Sequence, residues 1–240
     1  MQLKITIILL LLTIFHWTTY TQTNLNGAWQ QTTEDGITKI LLLSGDYFTW
    51  TEHNTETGAF GMTKGGSWDR DGKKVVLTYE FDTADSMQVG TTERLGFKYL
   101  PASNQLRLKK SFFNKSKWTA IEDDNTSVLA NPYLFGGRKR DGELQMRDTD
   151  QPRKTMKILT GTRFQWIAYN TETKQFMGTG GGTYTAKDGK YVENITFFSR
   201  DDSRVGASLD FEYELIDGAW HHSGLSSKGN PIYEIWVVRE

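Results

Sequence analysis

No cysteine stands among the 240 residues, which excludes a disulfide framework, a thiol nucleophile, a thiolate metal site and a lipid-bearing lipobox cysteine. Proline is scarce, at four, and the glycines are scattered, so collagen-like and proline-rich disordered classes are excluded as well. Charge of one sign is also missing: the formal net charge is -1, and the basic runs are short, as in Arg138-Lys139-Arg140. Neutralising phosphates requires a basic surplus on some face, so no nucleic-acid partner is expected. There is no Gly-x-Ser-x-Gly elbow, no Gly-x-x-x-x-Gly-Lys loop and no His-Glu-x-x-His pair. Gly180-Gly181-Gly182 lies between strand-like runs with no helix after it, so close backbone approach is expected there rather than a phosphate loop.

A long apolar run occurs once. Lys4 precedes an apolar stretch from Ile5 to Phe15, and polar residues follow from Thr18. This is the layout of a signal peptide, and it is short for a span of about 20 residues. Residues 1–22 are therefore expected to be a signal peptide, with a retained anchor as the other reading. Export without disulfides suits the periplasm or surface of a Gram-negative bacterium, with no membrane span after signal removal.

What the chain does contain is a repeat of itself about 116 residues further on. His53-Asn-Thr-Glu-Thr-Gly-Ala-Phe60 faces Tyr169-Asn-Thr-Glu-Thr-Lys-Gln-Phe176, and Phe48-x-Trp50 faces Phe164-x-Trp166. Lys39-Ile40 matches Lys157-Ile158 with a small shift, and Thr63-x-Gly65-Gly66-Ser67-Trp68 matches Thr179-x-Gly181-Gly182-Thr183-Tyr184. Phe97-x-Tyr99 matches Phe211-x-Tyr213, and Trp118 matches Trp236. Order-preserving matches of this kind indicate duplication. The expected units are residues 23–122 and 134–240, joined by a polar linker at 123–133.

Each unit reads as short strands between turns. Phe164, Trp166 and Ala168 alternate with Arg163, Gln165, Ile167 and Tyr169, and Leu209, Phe211, Tyr213 and Leu215 alternate with Asp210, Glu212 and Glu214. Asp71-Gly72 and Asp188-Gly189 are two-residue hairpin signals, predicting positive φ at both positions. An antiparallel meander of this length hides its edges most completely by closing into a barrel. The expected fold class is all-β, with two tandem antiparallel β-barrel units.

The Gly27-Ala28-Trp29 segment resembles the Gly-x-Trp of lipocalin-like (calycin) barrels. In the second unit, where Gly136-Gly137-Arg138 stands in its place, Phe164-x-Trp166, Gly180-Gly-Gly-Thr-Tyr184, His222-Ser-Gly224 and Glu234-Ile-Trp236 resemble small lipocalin-like domains of secreted Bacteroidota proteins. The chain also resembles, more distantly, an oligosaccharide dehydratase of ulvan degradation. That resemblance implies a carbon-oxygen lyase acting on the non-reducing-end uronate of an acidic oligosaccharide, with no cofactor. A non-catalytic lipocalin-like binder of a small apolar or sugar ligand is the alternative, and an assembly protein without a deep pocket is a third reading. Three or more ionisable side chains converging inside the second barrel would count against the apolar binder.

The candidate site residues follow from comparing the halves, which keep their aromatic scaffold and exchange ionisable groups. His53 stands where the second unit has Tyr169, and His222 and His221 face Lys110 and Lys109. Imidazole titrates near neutral pH and suits acid–base work. Adjacent strand residues point to opposite faces, so a metal site from the two histidines is not expected. Glu193 shares a strand face with Tyr191 and Ile195, an apolar setting expected to raise its pKa, unless an arginine such as Arg163 or Arg204 pairs with it. His222, Glu193, Tyr184 and His221 are therefore the candidate acids and bases. Arg163 and Arg138 are candidate carboxylate clamps, and Trp166, Trp220, His53 and Glu234 are candidate substrate contacts.

Overall fold

The structure is a computed structural model that describes residues 25–109, 117–121, 127–226 and 229–240. The expected signal peptide and residues 123–126 of the expected linker lie outside these residues, and the rest of that linker runs into β9, which begins at Pro132. Among the described residues no helix is long and apolar enough to cross a membrane.

The first unit comprises β1 (Gly27–Thr32), β2 (Ile37–Ser44), β3 (Tyr47–Asn54), β4 (Phe60–Asp71), β5 (Lys74–Asp82), β6 (Thr92–Leu100), β7 (Gln105–Lys109) and β8 (Lys117–Ala120). These form an antiparallel meander that closes where Trp29 pairs with Ala120. The second comprises β9 (Pro132–Arg140), β10 (Glu143–Met146), β11 (Arg153–Leu159), β12 (Arg163–Asn170), β13 (Phe176–Lys187), β14 (Lys190–Phe198), β15 (Ser208–Ile216), β16 (Ala219–Leu225) and β17 (Pro231–Val238). Here β9 pairs with both β11 and β17, closing a second eight-stranded barrel, and β10 adds as a hairpin arm on β9. Two closed antiparallel barrels in tandem agree with a lipocalin-like fold.

The repeated residues are the ones that shape the turns and corners. Asn54 Oδ1 accepts from the Glu56 and Thr57 amides at 3.0 and 2.9 Å, and Asn170 Oδ1 accepts from Glu172 and Thr173, each at 2.9 Å. The shared Asn-Thr-Glu-Thr is thus an asparagine-capped turn. Ladders β4–β5 and β13–β14 both bulge, at Gly65/Gly66 and Gly181/Gly182. A Cβ on Gly66 or Gly182 would strike the carbonyl oxygen of Thr78 or Asn194, so the glycine run serves close backbone approach within a strand. The hairpin expectation holds at Asp188-Gly189, where φ is 51° and 78°. It fails at Asp71, which stays in the ladder opposite Lys74, so that Gly72 (φ 60°) and Lys73 make the turn. Glycine at the first turn position needs only one positive φ.

Ladder register corrects two matches made by letters. Trp29 lies opposite Leu41, and Tyr133 lies opposite Lys157. Because Leu41 faces Trp50 as Lys157 faces Trp166, the counterpart of Trp29 is the buried Tyr133, not Arg138. The same ladders place Lys157 under Leu41 rather than under Lys39.

Each barrel has its own aromatic and aliphatic core. A third cluster joins them: Ala28, Leu42 and Phe81 of the first barrel pack on Leu134, Met156, Ile158, Ile167 and Tyr169 of the second. The contact is approximately two-fold. Phe60 stacks on its own counterpart Phe176 at 6.2 Å, and the Phe81–Tyr169 pair (4.9 Å) is matched by Phe197–His53 (5.4 Å).

Candidate functional site

Inside the second barrel, alternation along four strands sends ionisable side chains inward among aromatic ones. Lys157 of β11, Glu193 of β14, and His222 and Glu234 on the paired strands β16 and β17 line one cavity of about 240 Å³. Trp166, Phe198, Phe211, Trp236, Leu209 and Ile232 supply its apolar walls. Lys157 and Glu193 are 4% and 5% exposed and form an ion pair at 2.8 Å. Tyr191 donates to the same Glu193 Oε1 at 2.9 Å. The Lys157 ammonium also lies 4.8, 5.1 and 5.3 Å from the ring centres of Trp220, Trp236 and Tyr191, where π-faces favour a cation.

His222 is 2% exposed, and its Nδ1 is 3.3 Å from Glu234 Oε2, which also accepts from Trp236 Nε1 at 3.1 Å. Burial first, and then the Lys157 charge, lower the His222 pKa against the opposing pull of Glu234 and Glu193. Burial pushes the Glu234 carboxyl up, but the His222 hydrogen bond, the Lys157 charge and the Trp236 indole together bring it below its ordinary value. An ionised Glu234 accepts only, so His222 carries its proton on Nδ1 and leaves Nε2 as a lone pair. That Nε2 is buried without a hydrogen-bond partner, as is Trp220 Nε1. Native structures rarely leave such groups unpaired away from functional sites.

The structure brings Glu193, His222, Glu234 and Trp166 of the sequence-derived candidates into this cavity, with Trp220 packed behind Lys157. It does not bring the others there. Tyr184 is buried and donates to the Thr160 carbonyl. His221 points the opposite way from its neighbour His222 and pairs with Tyr233 OH at 2.8 Å. Arg138 is exposed beside Gln145, although its strand pairs it with Glu234. Arg163 and His53 line a separate crevice between the barrels. Glu193 is ion-paired, as the alternative reading had it, but its partner is a lysine, Lys157, and not an arginine; the sequence reading missed that lysine. Matching Lys157-Ile158 to Lys39-Ile40 hid it; a constant offset anchored on Trp50 and Trp166 puts a lysine where the first unit has leucine. Among the described residues no three His, Asp or Glu side chains are grouped to hold a metal ion.

No protein-family model matches the chain, and a search of the curated proteins finds no match either.

Proposed function

We propose that the second barrel is a carbon-oxygen lyase site, and that the exported chain dehydrates the non-reducing-end uronate of an ulvan-type oligosaccharide to an unsaturated uronate. One observation carries this reading: a neutral imidazole with an unbonded ring nitrogen shares an aromatic-walled cavity with an ammonium group. Removing the weakly acidic proton α to a carboxylate requires a base that is unprotonated near neutral pH, as a neutral imidazole is, and a cation where the enolate charge develops. His222 Nε2 takes the proton, and Glu234 steadies the resulting imidazolium through Nδ1. The C–H electron pair becomes the new double bond, the β C–O bond breaks, and the departing hydroxyl leaves as water with the proton from His222. Lys157, held by Glu193, faces the enolate. At about 240 Å³ the cavity is smaller than typical drug-sized pockets, which suits a single terminal ring whose apolar face lies on Trp166 or Trp236.

Four ionisable groups in one cavity weigh against an apolar-ligand binder. The test is incubation of the purified chain with uronate-ended oligosaccharides, following the conjugated-alkene absorbance and the loss of one water by mass. Both signals are expected, with His222→Gln slowing them by roughly 10²–10⁴-fold. Absence of both with every uronate-ended substrate overturns the proposal, and tight binding without turnover replaces it with the binder.

A further inference from the structure

The cavity of the second barrel has a closed end and an open one. Tyr133, Leu159, Phe164, Tyr184 and Trp220 are buried across the far end. Half-buried Thr155, Leu209 and Ile232 line the other, near the starts of β11, β15 and β17. An oligosaccharide whose terminal ring fills the cavity must leave past those strand starts, so its second ring lies at the rim. The second unit alone adds an element there. In the first unit β1 passes to β2 through residues 33–36, whereas residues 141–152 intervene between β9 and β11 and carry the arm β10.

The ladders put two arginines of this region on the cavity's side. Arg138 lies directly opposite Glu234, which lines the cavity, and directly opposite residues of an antiparallel pair share a face. Gln145 of β10, opposite Arg138 on its other side, accepts from Arg138 Nε at 3.3 Å. Arg153 stands two residues before Thr155 on β11, again on the face that lines the cavity. Arg147 ties the two strands together: its amide donates to the Gly136 carbonyl at 2.8 Å and its guanidinium to the Arg153 carbonyl at 2.9 Å. Arg138 and Arg153 are exposed, and among the described residues neither forms an ion pair. The nearby acids are engaged elsewhere. Asp141 pairs with Arg140 at 3.6 Å, Glu143 lies opposite Arg140, Asp148 accepts from the Asp150 amide and from Gln151, and Glu234 holds His222 and Trp236. A guanidinium presents a fork of donors that matches an oxyanion.

From this placement we infer that Arg138 and Arg153 form a second subsite at the cavity mouth, for an oxyanion on the sugar next to the terminal uronate. The inference rests on the lyase reading for the identity of the terminal ring, and goes beyond it by fixing the charge of the next one. The oxyanion has two sources, a sulfate ester or a carboxylate. Calorimetric titration of the unsubstituted chain distinguishes them with three disaccharides whose terminal uronate lacks the hydroxyl that leaves, so that none is dehydrated. Their second ring carries a sulfate ester, a carboxylate or neither. At least one charged probe should bind about 10- to 100-fold more tightly than the neutral one, as a charge-assisted contact provides. Arg138→Gln combined with Arg153→Gln should bring the charged probes to within about twofold of the neutral one and leave the neutral one unchanged. Equal affinity for all three, binding by none, or a preference that survives both substitutions overturns the inference. Failure of the lyase reading shows separately, as absent turnover of hydroxylated substrates whatever their second ring carries.

Discussion

The two barrels share a rung of side chains that shows how one scaffold gives a filled core and a hollow one. Across β2 to β5 the rung reads Leu41, Trp50, Lys64, Asp82; across β11 to β14 it reads Lys157, Trp166, Gly180, Phe198. The tryptophan is constant, and the lysine has moved from one side of it to the other. In the first barrel the Lys64 ammonium lies 5.5 and 5.1 Å from the Trp50 and Tyr79 ring centres and 3.7 Å from Asp82, so its stem occupies the interior. Among the described residues, the apolar space between Leu41, Leu77, Leu95 and Leu106 is about 20 Å³. In the second barrel Gly180 frees that space, Trp166 and Phe198 close over it edge to face at 5.5 Å, and the cavity of about 240 Å³ remains. Leu41 and Leu77 have become Lys157 and Glu193. A buried ion pair rarely stabilises more than the apolar residues it replaces, so this exchange is better explained by chemistry than by folding.

The sharpest test of that difference is to turn the second barrel toward the first. Lys157→Leu alone strands Glu193 without its cation and should cost about 3–5 kcal/mol in urea unfolding. Lys157→Leu with Glu193→Leu, the first barrel's own residues, should return stability to within about 1 kcal/mol of the parent or above it while turnover stays lost. If the double variant is as unstable as the single one, the pair serves packing and the contrast collapses.

A smaller loss, about 1–3 kcal/mol, is expected for Lys64→Met in the first barrel. Asp82 keeps two other donors, the Ala84 and Asp85 amides at 2.9 and 3.0 Å, and so is not orphaned. Urea midpoints of the two lysine variants compared side by side check the ranking.

The smallest effect is one of pH. His222 and His53 both have folded pKa values below the ordinary imidazole value near 6.5, chiefly through burial. The unfolded chain therefore binds protons first as pH falls. Stability is fully present above about 6.5 and declines below it, through the window between the unfolded and folded values. His222→Leu should flatten the slope between pH 7 and 5 in part, and a second change, His53→Phe, should remove most of what is left. A slope unchanged by both substitutions would place its origin in the carboxylates.

Much of this was legible in the sequence because duplication prints scaffold twice. Phe48/Phe164, Trp50/Trp166 and the asparagine-capped turns recur since the same barrel corners need them, and strand alternation followed from one-sided burial. His222, Glu193 and Glu234 were legible as polar residues on apolar strand faces. Lys157 was not, because identical letters two positions away attracted the match, and only the ladder fixes register. The separation of Arg163 and His53 from His222 was hidden for a different reason. Both faces of β12 are covered, one by its own interior and one by the other barrel, so alternation could not say which side was which.

The near two-fold contact has a consequence for descent. A patch that packs on its own counterpart, as Phe60 does on Phe176, is isologous, the kind of surface by which two copies of a single-barrel chain make a closed homodimer. In such an ancestor the two crevices flanking the contact are identical by necessity, and any substitution appears in each. Joining the copies into one polypeptide lifts that constraint. One crevice then acquires an arginine, Arg239, that fastens the halves together, while its twin diverges, with Arg163 and Thr196 where the first has Tyr47 and Glu80.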